Sequence, residues 1–525
     1  MKEYFEMKKK HAFIFILTAL LTASCTKGGS DKKDMDLSTY PIETDVELTY
    51  FMPLNEVLTS TVSNFSETRF AQAMREKTGV RVKYIHPLIG QEDETFNLML
   101  ASSDLPDIIE SMVSSMFGGA DSKLRDRVVL PLNDFMADYA PALSEYLEQN
   151  TNIDREVKLD DGTYMCFPFI RGDKSLLISA GPIVRQDWLE DLGLDTPRTI
   201  DDWERTLTAF KEKKSALAPF SCTSLSVLIR FVGSDYGFYI SDNTVKFSPL
   251  EPEFRTALEI LHRWYENGLL DPNYTLTDQS MLDSNILNGL TGATYASGGS
   301  GLGRWISSST DPNFKLAGIE IPLNQHGELN ECASVSNYFW GYGAIVTTSC
   351  KYPKLAVKYM DYSYTAAGSM LNNFGVEGES YKMIDNFPTY TDMIIHNSNG
   401  LSVNYAMSNY MRSYDAGPFV QDARYITQYY GLDEQKQALK EWEKGVDAAL
   451  EKALPNLSLL SSEASEYSEI YNKLSKYIEE AVTEFISGTK PINEFNDFTD
   501  RLKDLGAERA IQIQQNAYNR YLKRE

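Results

Sequence analysis

Metal-ligating residues are scarce in this chain: five cysteines and five histidines occur among 525 residues. Cys166, Cys222, Cys332 and Cys350 stand far apart, no CxxC or Cys/His ligand spacing occurs, and His86, His262, His326 and His396 are equally scattered. This argues against a zinc centre, and it leaves those cysteines either as disulfide partners that sequence cannot match or as buried thiols. Positive charge is also short. Lys and Arg total 50 against 74 Asp and Glu, a net charge of −24. That balance argues against nucleic acid and against adsorption to anionic lipid. A Gly-x-Ser-x-Gly elbow, an HExxH pair and a phosphate loop are all missing, so the readable signatures of hydrolase and nucleotide chemistry are absent. Carboxylates are abundant, and a glycosidase pair about 5 to 10 Å apart stays possible by count alone. No local pattern singles one out. Internal repeats and long low-complexity segments are lacking too.

The most apolar run lies at the N-terminus, and it is too short for a stable membrane span, which takes about 20 residues. Met7-Lys8-Lys9-Lys10 precedes it and Leu21-Thr22-Ala23-Ser24-Cys25 ends it. A basic start, a short apolar stretch and small residues before a cysteine predict a lipoprotein export signal over residues 1–24, with Met7 a natural start and Cys25 lipidated. The mature protein is then expected at the cell membrane, lipid-anchored through Cys25 and facing the extracytoplasmic side. Losing residues 1–24, with their four lysines and two glutamates, takes the net charge to −26. Thr26 to Asp36 carries little bulky apolar side chain and predicts a flexible tether within residues 25–44. Some 480 residues follow, more than one core usually holds, so two large lobes are expected.

Val46, Leu48 and Tyr50 alternate with polar residues, as do Val80, Val82 and Tyr84; both read as strands. Between them Ser63 to Thr78 is helical in character, with Gly79 as its C-terminal cap. Strand, helix, strand is the signature of an α/β sheet. A second unit begins at Thr163 and enters a helix over Asp187–Leu192 that Gly193 ends. Thr199 and Asp202 then form a capping box. A third strand, Gly343–Thr348, precedes a helix over Lys354–Tyr364. The C-terminal third is helical, with an apolar face from Ile470 to Ile486 and a further pair of helices, Thr499–Leu505 and Ala507–Tyr521, broken at Gly506.

Four blocks, in order, are similar to the extracellular solute-binding lipoproteins of ABC-type sugar importers, in the large-chain group related to maltose- and alginate-binding proteins. They are Lys77–Val80 with Asn97–Ile109; Val184–Leu194 continuing through Pro197, Thr199 and Trp203; Thr348–Asp361 with Asn372–Tyr381; and Phe485–Gly488 through Tyr521. The resemblance spans residues 40 to 521. It implies a two-lobe, type II periplasmic-binding-protein-like α/β fold with discontinuous lobes, 45–168 with 343–410 and 176–337 with 411–525, and a helix-rich C-terminus. Strands would cross near Phe167–Lys174, near Tyr338–Gly343 and somewhere past Asn404, with a carbohydrate cleft at the crossings. Hinge closure and docking on a membrane permease follow from the family, as do a monomer, no cofactor and no catalysis. Many relatives carry an acidic calcium loop after the Trp203 helix; here Phe210–Pro219 offers one carboxylate and three lysines, too few oxygens for calcium.

Sugar recognition needs flat apolar faces for ring surfaces and planar polar groups for hydroxyl pairs. Tyr338, Trp340 and Tyr342 would share one face of an alternating strand, as a pocket platform or as inter-lobe core. Ser297–Gly303 is a glycine-rich turn entering a helix, without phosphate-loop spacing; in relatives it lines the cleft, which makes Gly299 and Trp305 candidates. After Pro106–Ile109 the family's chain emerges at the cleft, adding Glu110, Ser111 and Ser114. Tyr164, Arg171 and Arg185 flank the first crossing. Trp188 and Trp203, on amphipathic helices, belong to core. The reading is a substrate-binding protein for an oligosaccharide or sugar derivative. Rival readings are a cell-surface glycoside hydrolase or lyase, an all-helical glycan-gathering lipoprotein, and a sensor that presents its closed form to a membrane receptor.

Overall fold

The computed structural model describes residues 35–102, 104–113, 126–324, 326–332 and 335–524. The export signal, Cys25 and Ser114 lie outside them. No described helix is long and apolar enough to cross a membrane.

The chain opens with β1 (Glu47–Phe51), β2 (Arg81–Ile85) and β3 (Ile108–Met112), all parallel in register about β1. The helix between β1 and β2 spans Arg69–Thr78, shorter than its sequence suggests. A 3₁₀ turn, Phe65–Glu67, precedes it, and Thr68 is extended so that its side chain can cap Ala71 N–H. Gly79 ends the helix at φ 76°, and a Cβ there would stand 2.2 Å from the Ile42 carbonyl oxygen, so both backbone and space demand glycine.

Next come β4 (Phe167–Pro168), β5 (Ile170–Arg171) and β6 (Ala180–Arg185), the hairpin β7 (Phe238–Ser241) and β8 (Thr244–Phe247), β9 (Ala293–Ser297) and β10 (Leu316–Gly318). Then β11 (Tyr342–Val346), the hairpin β12 (Tyr381–Ile384) and β13 (Phe387–Tyr390), and β14 (Val420–Gln421) complete the set. One sheet runs β2-β1-β3-β11-β4 and a second runs β10-β6-β9, with helices packed against both. This is the expected α/β architecture of two lobes. The chain leaves the first sheet at β4, pairs β5 with β14, and enters the second sheet at β6. It returns between β10 and β11 and crosses again at β14, which places the third crossing at Val420–Gln421.

Three large buried clusters follow this layout. The first gathers the five-stranded sheet with Leu132, Leu143 and Leu355–Met360. The second is aromatic, with Trp203, Phe220, Phe231 and Trp264 around the long helix Ser461–Ser487. Trp188 and Trp203 both fall in it, as core residues. In the third, Phe374, Tyr390 and Met411 pack with Leu176, Trp305 and Trp442, so the segment after residue 374 joins the two halves. A helix expected from Thr499 begins at Phe495, because Phe495 and Phe498 extend its apolar face onto Phe485. All four cysteines considered above are free thiols. At the chain end, Arg520 and Arg524 both reach Asp160, at 2.7 Å each, while Arg524 also donates to the Arg155 carbonyl at 3.1 Å.

Candidate functional site

In an open α/β sheet the crevice outside the carboxyl ends of the strands is where backbone groups and loops can meet a ligand. Here that end holds a cavity of about 350 Å³. Met52, Pro53 and Leu54 leave β1 into it, and Asn55 caps the short helix Glu56–Thr59 on its rim. Ile89 and Glu92 come from beyond β2, Tyr342 from the start of antiparallel β11, and Arg412, Tyr414 and Asp415 from the approach to the third crossing. A larger cavity, about 920 Å³, lies at the opposite end of the sheet between Met35–Ser38 and Lys351–Leu355. It faces the amino end of β1, and the crossings do not reach it.

Beneath the smaller cavity sits a fully buried carboxylate. Glu110, opposite Ala344 in the β3–β11 register, accepts from Tyr50 Oη at 2.6 Å, Tyr342 Oη at 2.9 Å and Arg412 Nη2 at 2.6 Å. Arg412 is itself buried, donates to the Ala416 carbonyl, and lies 5.3 Å from the Phe65 ring. Burial opposes the charge on Arg412, and Glu110 more than offsets this, holding the guanidinium pKa above its ordinary range. Burial and the Glu110 charge push both tyrosine hydroxyls well up, so they stay neutral donors. The network fixes Tyr342, and Tyr342 fixes its neighbour. Trp340 stacks on it with ring centroids 5.8 Å apart at 20°, and Phe169 meets Trp340 edge-on at 6.2 Å. The Trp340 Nε1 is buried with no hydrogen-bond acceptor. Flat rings beside polar groups suit a molecule with apolar and hydroxylated faces.

The other sequence candidates separate into those at this site and those spent elsewhere. Ser111 is half-buried on β3 next to Glu110. Tyr338 does not join the platform: Gly341 takes φ 93°, residues before it are not strand, and the expected alternation stops there. Its carbonyl instead accepts the Arg171 N–H. Arg171 directs Nη1 to the Leu176 carbonyl at 2.9 Å and to Gln421 at 3.4 Å, stitching β5 to β14. Tyr164 donates to Asp154 at 2.6 Å, a local tie within the first lobe rather than a cleft contact. Arg185 is buried between the Trp188 and Phe314 rings and bonds Asp187 at 2.6 and 2.8 Å, so a ligand cannot reach it.

Trp305 is only 1% exposed and donates to Asp283 at 2.8 Å; it is packing, not a platform. Most glycines of its turn answer to packing as well. A Cβ on Gly303 would meet Gln435 at 2.2 Å and one on Gly298 would meet Tyr430 at 2.8 Å. Gly299 alone is partly open, beside Tyr429 and Tyr430. The stretch Phe210–Pro219 begins inside the helix Ile200–Lys214, where the Lys211 ammonium donates to the Asn267 carbonyl and Lys214 to Asp191. Sequence reasoning missed Asn55, Glu92, Arg412, Tyr414 and Asp415. The one available signal was an isolated Arg–Ser–Tyr–Asp run ahead of Ala416-Gly417-Pro418.

Comparison with known proteins follows the same lines. Residues 59–370 match the family model described as bacterial extracellular solute-binding protein. The chain is 23% identical to lipoprotein LipO of Bacillus subtilis, over 83% of this chain and 86% of LipO. It is 22% identical to the fructooligosaccharide ABC transporter substrate-binding protein FusA of Streptococcus pneumoniae, over 98% and 99% of the two chains. Among solved structures, alginate-binding protein AlgQ2 superposes with a TM-score of 0.72 at 23% identity, covering 92% of this chain and 99% of that one. An HMO binding ABC-transporter associated solute-binding protein of Bifidobacterium longum infantis gives 0.73 at 15% identity, covering 91% and 99%.

Proposed function

The chain belongs to the bacterial extracellular solute-binding proteins, and we propose that it is the substrate-binding subunit of an ABC importer, capturing an oligosaccharide or sugar derivative. Capture takes place between lobes built from 45–168 with 343–410 and from 176–337 with 411–525. The ligand rests on the Trp340–Tyr342 platform, above the buried Glu110 and with Ser111 and Gly299 around it, and contacts to both lobes favour the closed form. Cys25 carries the lipid that holds the protein at the outer face of the membrane, where the closed monomer meets its permease. The observation that carries this reading is the cavity at the carboxyl end of the first sheet, lined by Tyr342 and Arg412, with Trp340 stacked on Tyr342 and Glu110 paired to Arg412 behind them.

The same site supports binding without turnover. Both Glu110 oxygens are occupied by hydroxyl and guanidinium donors, so this carboxylate is not free to protonate a leaving group. Thermal unfolding of the full chain in mild detergent, against oligosaccharides, amino acids and peptides, tests the reading. A ligand at 100 times its dissociation constant adds about 2.7 kcal/mol. An oligosaccharide should raise the melting temperature and be recovered intact. Cleavage of that sugar, or stabilisation by peptides alone, refutes the proposal.

A further inference from the structure

Charge at the cleft narrows the solute further. Resting on the reading above, we propose that the site takes uncharged oligosaccharides and rejects those bearing uronates. Among the described residues lining the cavity, Arg412 is the one cation, and Glu110 neutralises it at 2.6 Å while the Ala416 carbonyl occupies the same nitrogen. Glu56, Glu92 and Asp415 bring three carboxylates to the wall around it. Asp415 accepts from the Asn55 amide, which adds no compensating charge.

Cations elsewhere about the crossings are committed as well. Arg185 is held by Asp187 at 2.6 Å, Lys174 by Asp447 at 3.1 Å and Arg304 by Asp283 at 2.6 Å. Arg171 has no carboxylate beside it and its Nε is unpartnered, but that nitrogen is buried, Nη1 is spent on a carbonyl and an amide oxygen, and the residue does not line the cavity. A sugar carboxylate would therefore lose water without gaining a counter-ion, among like charges. Hydroxyl groups meet the opposite situation. Glu92 and Asp415 accept from them, the Asn55 amide can donate, and the Tyr342 ring covers their apolar faces.

The test is titration calorimetry on the full chain with matched tetrasaccharides, each neutral sugar paired with the uronate of the same stereochemistry and linkage. Any pair that binds should favour its neutral member at least tenfold in Kd. The gap should narrow below threefold in an E92Q/D415N variant, and it should shrink in 0.5 M salt. A uronate that binds as tightly as its neutral partner overturns the inference while leaving oligosaccharide capture standing. So does a gap that the double variant leaves unchanged. If no neutral or uronate sugar binds and peptides do, the oligosaccharide reading fails, and the inference with it.

Discussion

Replacing Arg412 with methionine should be among the most costly single changes in the first lobe, and the reason can be worked from its surroundings. Arg412 is 6% exposed, Glu110 is fully buried, and their closest atoms are 2.6 Å apart. Two charges taken from water at this depth hold one another in place. Removing one strands the other, which costs about 3–5 kcal/mol, whereas removing both with similar volume is often nearly neutral. Tyr50 and Tyr342 still donate to Glu110 in the single variant, so the low end of that range, about 3 kcal/mol, is expected. R412M should therefore unfold at clearly lower urea than the parent, followed by far-UV circular dichroism. E110Q/R412M should regain at least half of the loss. The coupling between the two sites, read from the double-mutant cycle, should be about 2–3 kcal/mol. A single variant within about 1 kcal/mol of the parent, or a double variant that loses the sum of both singles, would refute this account of the cleft floor.

Trp340→Ala should weaken sugar binding about 5- to 30-fold, on the order of 1–2 kcal/mol, with a smaller effect on unfolding; calorimetry showing unchanged affinity would remove Trp340 from the site. Glu156 lies buried against the second crossing, accepts the Phe339 N–H at 2.9 Å, and has its pKa raised to about 7 by burial. A raised carboxylate favours folding fully below its unfolded value and loses that contribution as pH climbs to about 7. E156Q should accordingly stabilise the protein by on the order of 2 kcal/mol at pH 8 and not at pH 4.5; equal effects at both pH values contradict the assignment. Gly79→Ala should cost about 1–3 kcal/mol, since it combines a left-handed backbone with a 2.2 Å approach to Ile42; a melting temperature equal to the parent's would show that the Ile42 segment yields freely.

The parts of the fold that sequence made readable are those set by local chemistry. β1 and β2 alternate because one face of each meets the core, Gly79 and Gly193 adopt the left-handed conformation of a helix end, and Thr199 with Asp202 forms its capping box. Glu110 was singled out as a ligand contact but is fully buried in an ion pair, which sequence could not show because its partner lies at residue 412. Trp305 could be a platform or helix packing by sequence, and it is packing: its indole N–H donates to Asp283 and it shares a buried cluster with Ala438 and Trp442, all distant in sequence. Arg412 and Asp415 carry no motif of their own, and only the path of the chain into the third crossing brings them to β1 and β11.

That path also dictates the order in which the protein can be completed. β11 sits between β3 and β4, so the edge of Ile109 that faces away from β1 stays unpaired until Ile345 has been synthesised. A chain emerging residue by residue therefore carries open strand edges on β3 and β4 through the whole of the second lobe's synthesis. An amino-terminal fragment ending near residue 171 would retain those edges permanently and be prone to associate with itself. The interleaving rewards delaying collapse until the whole polypeptide is present, a condition that passage across a membrane as an unfolded strand would supply.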